Sequence, residues 1–196
     1  MGTSATIPEQ KSRPGKLPPA LNIKKTRRGW GSRKRKIKQK YFTVLGNNAN
    51  GIKAKQKSLL NTLNLFNLPS CVLIQESKLR FPGTFKLKGY QIFEQVRSSL
   101  GGGLLTAVDP DLSPVLISTG KDSVEILVVQ VQIGKLKVRI FNAYGPQESE
   151  KKEMIQQFWF DFEKQIIDAK EQNCCIMIGM DANAKLGLEL ISEDPN

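Results

Sequence analysis

Packed sheets covered by helices, an α/β domain with a basic tail in front of it, follow from how apolar residues are spaced along these 196 residues. Short apolar runs of strand length alternate with longer stretches in which apolar residues recur every three or four positions, the helical period. Lys and Arg, by contrast, crowd into the first 40 residues, where no apolar periodicity exists.

The tail holds 13 of the 30 Lys and Arg but only Glu9 among the 18 acids, so it carries the whole net charge of +12 and the remainder balances at 17 against 17. With Pro14, Pro18, Pro19 and a single aromatic, Trp30, it cannot bury enough surface to order itself and is expected to be disordered over 1–40. A basic arm attracts polyanions by releasing their counterions, without regard to sequence. Arg27, Arg28, Arg33, Lys34, Arg35 and Lys36 are therefore the candidate nucleic-acid contacts, for DNA and also for RNA. Nuclear localisation fits the same run, as do contact with an anionic membrane and a plain solvated linker. Met1, Gly2 and Thr6 match a myristoylation pattern short enough to arise by chance. No apolar run approaches the roughly 20 residues of a membrane span, and the start lacks a signal peptide's apolar core. An intracellular, nuclear protein without stable membrane association is expected.

Three cysteines, two of them adjacent (Cys174, Cys175), make a disulfide framework a poor fit, and Cys71 and Cys175 are expected as reduced core residues. The sequence has no histidine, which removes zinc sites of the usual spacing and Ser-His-Asp or Cys-His catalysis. Any chemistry must rest on carboxylates, amides and tyrosine.

The domain, 41–196, begins with a strand at 41–45 that stops at Gly46. A helix follows, with Ile52, Leu59, Leu60, Leu63 and Phe66 as its apolar stripe and Pro69 closing the segment. Strands are expected at 71–74, 90–93, 104–108, 124–131 and 136–141, the last two joined as a hairpin across Gly134. Gly101, Gly102 and Gly103 break the phosphate-cradle pattern and read as a flexible loop. A second helix over 149–171 presents Met154, Ile155, Phe158, Phe162 and Ile166, with Trp159 and Phe160 as further packing aromatics, and a last strand occupies 175–180.

Two strand ends carry oxygen ligands. The apolar run 176–179 leads into Asp181, Ala182 and Asn183, and the run 71–74 leads into Gln75 and Glu76. Open α/β sheets place their chemistry at such ends, and Asp, Asn and Glu on one rim would suit a hard cation such as magnesium. A turn at Asp181–Asn183 and a solvated Glu76 are equally compatible with the residues alone.

Four motifs in order, Asn48-Ala49-Asn50-Gly51, Gln75-Glu76-Ser77-Lys78, Asn142-Ala143-Tyr144-Gly145-Pro146 and Asp181-Ala182-Asn183, resemble the endonuclease/exonuclease/phosphatase superfamily. Within it they are most similar to the apurinic/apyrimidinic-type endonuclease domain of LINE-like non-LTR retrotransposons. The resemblance implies a four-layer α/β/β/α sandwich and DNA phosphodiester cleavage with Mg²⁺ or Mn²⁺. It makes Glu76 the main metal ligand, with Asn50 beside it where many relatives have Asp. Asn48 would orient the site, Tyr144 would steady the phosphate, Asp181 would activate water, and Asn183 would hold a phosphate oxygen. Relatives complete the site with a further Asp and an Asp-His pair that this sequence lacks. The expectation is therefore an incomplete sandwich, the front part of such a domain, that binds DNA and cleaves it weakly or not at all. A lipid or inositol phosphatase of the same superfamily, or a non-catalytic basic nucleic-acid-binding protein, remain alternatives. The sharpest geometric expectation is that Glu76 and Asp181, 105 positions apart, share one rim.

Overall fold

The computed structural model describes residues 41–97, 101–120 and 124–183. The tail at 1–40, with its candidate contacts Arg27, Arg28, Arg33, Lys34, Arg35 and Lys36, lies outside the described residues. Ten main elements follow in order: β1 (Val44–Asn48), α1 (Ile52–Leu65), β2 (Cys71–Gln75), β3 (Gln91–Gln95), β4 (Leu104–Val108), β5 (Val115–Thr119), β6 (Glu125–Ile133), β7 (Leu136–Tyr144), α2 (Lys152–Glu171) and β8 (Cys175–Asp181). They form two four-stranded sheets, ordered β1-β2-β4-β3 and β5-β6-β7-β8. Each sheet contains one parallel pair joined through a helix, β1 with β2 and β7 with β8, and is otherwise antiparallel.

Strand alternation builds three apolar layers. One face of β2 and β4 (Val72, Ile74, Leu105, Ala107) meets Ile52, Leu59 and Leu63 of α1. The opposite faces of the two sheets meet each other through Cys71, Leu73, Val108, Val129, Val138 and Ile140. The outer face of β6 and β7 (Ile126, Val128, Phe141, Ala143) receives Phe158, Phe162 and Ala169 of α2. The stacking is helix, sheet, sheet, helix, so the α/β class and the layer order agree with expectation. Leu73 and Ile74 point to opposite layers, as period 2 requires.

Element boundaries differ where polar residues extend a strand. β1 runs through Gly46, Asn47 and Asn48, because the parallel register with β2 continues to Asn48 opposite Gln75. β7 likewise runs on to Tyr144 and β8 to Asp181, paired with each other. α2 starts at Lys152, three residues later than expected. In α1 only Ile52, Leu59 and Leu63 are buried. Leu60 and Phe66 are exposed; the helix stops at Leu65, and Asn67 and Leu68 turn left-handed before Pro69. β5 was not anticipated. Its register shifts between Leu116 and Ser118, and Val115, Leu116 and Ile117 are all exposed.

Two packing expectations change. Cys71 is buried, and burial pushes its thiol up to about 12, but Cys175 is exposed; all three cysteines are free. Phe158 and Phe162 stack in the core and Trp159, though partly exposed, packs edge-on against both rings, whereas Phe160 is exposed. No helix among the described residues is long and apolar enough to cross a membrane.

Candidate active site

The two parallel pairs end at one rim. Register sets Asn48 beside Gln75, and Tyr144 beside both Asp181 and Glu125. Inter-sheet packing then brings the two ends together. The clamp below the rim is a buried amide pair: Gln75 Nε2 donates to Asn142 Oδ1 at 2.7 Å, and Asn142 Nδ2 lies within hydrogen-bond reach of Ile74 O, Leu105 O and Thr106 Oγ1. Buried amides without partners are costly. This pair therefore holds one sheet's strand ends in fixed relation to the other's.

On the rim itself Asn48 joins the two carboxylates. Its Nδ2 donates to Glu76 Oε1 at 2.9 Å and to Asp181 Oδ2 at 2.7 Å. Tyr144 donates its hydroxyl to Glu76 Oε1 at 3.1 Å. The Lys78 ammonium donates to Asn50 Oδ1 and sits 3.6 Å from Glu76 Oε2. Asn183 donates from its backbone to Asp181 Oδ1 at 3.1 Å and from its side chain to Gly145 O at 2.7 Å. All six candidates, Asn48, Asn50, Glu76, Tyr144, Asp181 and Asn183, are thus brought together, and Glu76 and Asp181 share one rim.

Electrostatics single out Glu76. The Asn48 amide above all, then the Tyr144 hydroxyl and the Lys78 ammonium, hold its carboxyl below its ordinary 4.5 against the opposing effect of burial. Tyr144 moves the other way, pushed up mainly by burial and also by Glu76. The backbone is unusual here too. Asn50, Glu76, Lys78 and Asn183 all have φ between 45° and 49°, in the left-handed region. Non-glycine residues there cost of order 1–3 kcal/mol each and persist where their surroundings over-determine them, most often at functional sites.

Among the described residues no group of three or more His, Cys, Asp or Glu could hold a metal. The donor set instead suits an ion that keeps most of its waters. Glu76 Oε2 and Asn50 Oδ1 already face one cation, the Lys78 ammonium. One carboxylate and an amide oxygen, with a second carboxylate nearby, is how magnesium is commonly taken. The residues fit that ion, provided that Lys78 gives way. Lys78 and the clamp residues Gln75 and Asn142 stand within the sequence motifs, but their residue types alone carry no sign of these roles.

Charge is divided between the halves. Residues 41–97 carry eight bases and two acids, net +6, and residues 98–196 carry nine bases and fifteen acids, net −6. In the segment after Glu76, Leu79, Phe85 and Leu87 are buried against α1, which leaves Lys78, Arg80, Lys86 and Lys88 exposed. Gln56 of α1 donates to Lys86 O at 3.0 Å, so exposed Lys53 and Lys57, flanking Gln56 on the helix, join the same surface. A basic face therefore adjoins the rim.

No protein-family model matches this chain, and no curated protein matches it. Solved structures do. The endonuclease domain of TRAS1, a telomere-specific non-LTR retrotransposon, matches at 18% identity with a TM-score of 0.50, over 74% of this chain and 60% of that one. TDP2 from D. rerio, complexed with a single-strand DNA product, matches at 17% and 0.50, over 74% and 61%. The 3′-5′ exonuclease NExo from Neisseria meningitidis matches at 17% and 0.55, over 72% and 57%. The chain spans about three-fifths of the length of these structures, and at such identities the likeness establishes a common fold.

Proposed function

With the fold of the endonuclease/exonuclease/phosphatase superfamily as premise, we propose that this chain is a metal-dependent DNA phosphodiesterase of the retroelement endonuclease kind. The observation that carries the reading is the pair of carboxylates delivered to one rim from two sheets, bridged by Asn48 and steadied by Tyr144. Phosphoryl transfer needs positioning and charge neutralisation more than covalent chemistry. Glu76, kept ionised by three donors, and Asn50 would hold Mg²⁺ or Mn²⁺. The bound ion would supply charge neutralisation at the phosphate oxygens.

The chain's own residues account for the remaining tasks. Asp181 accepts from Asn48 and from the Asn183 backbone, which fixes its carboxylate to orient an attacking water. Asn183 donates from its side chain to Gly145 O and also hydrogen-bonds the Tyr144 hydroxyl, which sets its amide beside the place where it would hold a phosphate oxygen. Tyr144 donates to Glu76 in this structure and would turn its hydroxyl toward the phosphate when substrate arrives. The basic face beside the rim favours a long polyanion over a small phosphate ester, because backbone contacts release counterions along its length. The tail is proposed to add to the same attraction and to direct the protein to the nucleus. With no histidine among its donors, the chain is expected to cleave slowly.

Nicking of supercoiled plasmid with Mg²⁺ or Mn²⁺ tests this. Slow nicking that disappears with chelator and in Glu76→Ala is expected. Nicking unchanged in Glu76→Ala, or phosphate release from an inositol phosphate with no action on DNA, would contradict it.

A further inference from the structure

Behind Glu76 lies a second acid with no role so far. Glu125 opens β6 opposite Tyr144 and is 3% exposed. Its Oε1 accepts the Gly103 N–H at 2.7 Å and lies 3.9 Å from Arg97 Nη1, whereas its Oε2 is buried with no hydrogen-bond partner among the described residues. Burial pushes the carboxyl above its ordinary value, and the nearby Glu76 adds to that, against Gly103 and Arg97. A buried carboxylate left half unsatisfied is expensive, so its retention calls for a reason.

The reason is what it grips. Gly101, Gly102 and Gly103 all have positive φ, and Gly102 and Gly103 are buried. They form the loop into β4 that their composition implied, with Gly102 and Gly103 packed in the interior. A Cβ on Gly102 would stand 2.3 and 2.9 Å from the two oxygens of Glu125, and a Cβ on Gly103 would stand 2.8 Å from Ser77 Oγ. Only glycines let this backbone pass between Glu125 and the segment carrying Glu76. On the far side of the strap, Ser77 N–H donates to Gly103 O at 2.8 Å and Lys78 N–H to Gly102 O at 2.9 Å. From the other flank Gly51 and Ile52 donate to the carbonyls of Glu76 and Ser77. The left-handed Glu76 and Lys78 are thus pinned from both sides, and one of those sides ends on Glu125.

We propose that Glu125 is a positioning residue for Glu76, acting through the glycine strap: its carboxylate fixes Gly103, and the strap fixes the backbone of Glu76, Ser77 and Lys78. Glu125 touches neither metal nor substrate. The inference rests on the reading of Glu76 as metal ligand, and its test separates the two.

Amide hydrogen exchange of the full chain reads the strap directly, and Mn²⁺ titration followed by the EPR signal of the free ion reads the site. In Glu125→Ala, exchange at Ser77 and Lys78 should accelerate roughly three- to tenfold relative to Ala107 in the middle of β4, the effect of one lost hydrogen bond. Mn²⁺ affinity should fall by a similar factor. Glu125→Gln, whose amide oxygen can still accept from Gly103, should restore both. Equal acceleration at Ala107, no change at Ser77 and Lys78, or a Gln variant no better than Ala would overturn the proposal. Should Glu125→Ala not fold, Gly102→Ala decides, because it drives the strap against the carboxylate; unchanged protection at Ser77 and Lys78 would then refute it. Glu76→Ala is the control on the underlying reading. Mn²⁺ binding that survives in it, with strap protection still dependent on Glu125, would remove the metal assignment and leave the strap.

Discussion

The two carboxylates of the rim arrive on strands of opposite standing. β2 is central, paired on one side with β1 and on the other with β4, and buried at every position. β8 stands at the end of its sheet, paired with β7 alone among the described residues, and Ile178 in its middle is 48% exposed. Glu76 correspondingly accepts from Asn48 and Tyr144 and has Lys78 beside it, whereas Asp181 takes one side-chain amide, from Asn48, and the backbone of Asn183. One half of the sandwich supplies a rigidly held acid suited to binding a cation. The other supplies an acid on a more accessible strand, where under the proposed function it would work on water. The shared topology delivers both groups to one place, and under the proposed function the different surroundings would divide the labour between them.

The largest expected difference is in packing. Ile74→Ala on β2 should destabilise the fold by about 2–5 kcal/mol, and Ile178→Ala on β8 by no more than about 1 kcal/mol, measured by urea unfolding. Equal costs would erase the distinction between the strands. Next comes the clamp that joins the halves. Asn142→Ala should cost about 1–3 kcal/mol, because it leaves Gln75 and neighbouring backbone oxygens unsatisfied in the interior. In a double-mutant cycle with Gln75→Ala the two losses should not add; additive losses would mean that the amides do not couple the sheets.

Charge gives the third comparison, between Glu76 and Glu125. Glu76 is held below its ordinary 4.5 when folded, so its contribution is fully present above that value and is lost as pH falls through the lowered one. Glu125 is raised mainly by burial. Its contribution has the opposite sign, present below its ordinary value and lost as pH rises through the folded one. Stability against pH should therefore lose part of its acid-side slope in Glu76→Gln, the rest including Asp168, which Arg139 also holds low, and should gain at neutral pH in Glu125→Gln. A Glu76→Gln curve parallel to the parent would contradict the first. The smallest effect belongs to Cys175→Ser at the exposed start of β8, within about 0.5 kcal/mol by thermal unfolding.

The layers of the fold were legible because apolar period is a local property: β4 lies at 104–108, where its apolar run stands. β1 was misread because Gly46, Asn47 and Asn48 look like a turn, and only pairing with β2 makes them strand. β5 was missed because a register shift spoils its alternation. At the site, Glu76, Asp181 and Asn183 could be named from the apolar runs before them, and Asn48, Asn50 and Tyr144 only through the resemblance that their motifs carry. Glu125 could not. A single acid at the start of a strand reads as solvated, and nothing local reveals that it lies beneath three glycines some twenty positions earlier.

Under the proposed function, residues from both sheets make one cation site. Mn²⁺ titrated into the ¹⁵N-labelled chain tests it through paramagnetic broadening of backbone amides. The amides of Asn50, Glu76, Tyr144 and Asp181, from four separate strand ends, should broaden together at the same low stoichiometry, and all should sharpen in Glu76→Ala. Broadening confined to one strand end, or spread over exposed acids such as Glu153 and Glu163 on α2 and unchanged in Glu76→Ala, would contradict it.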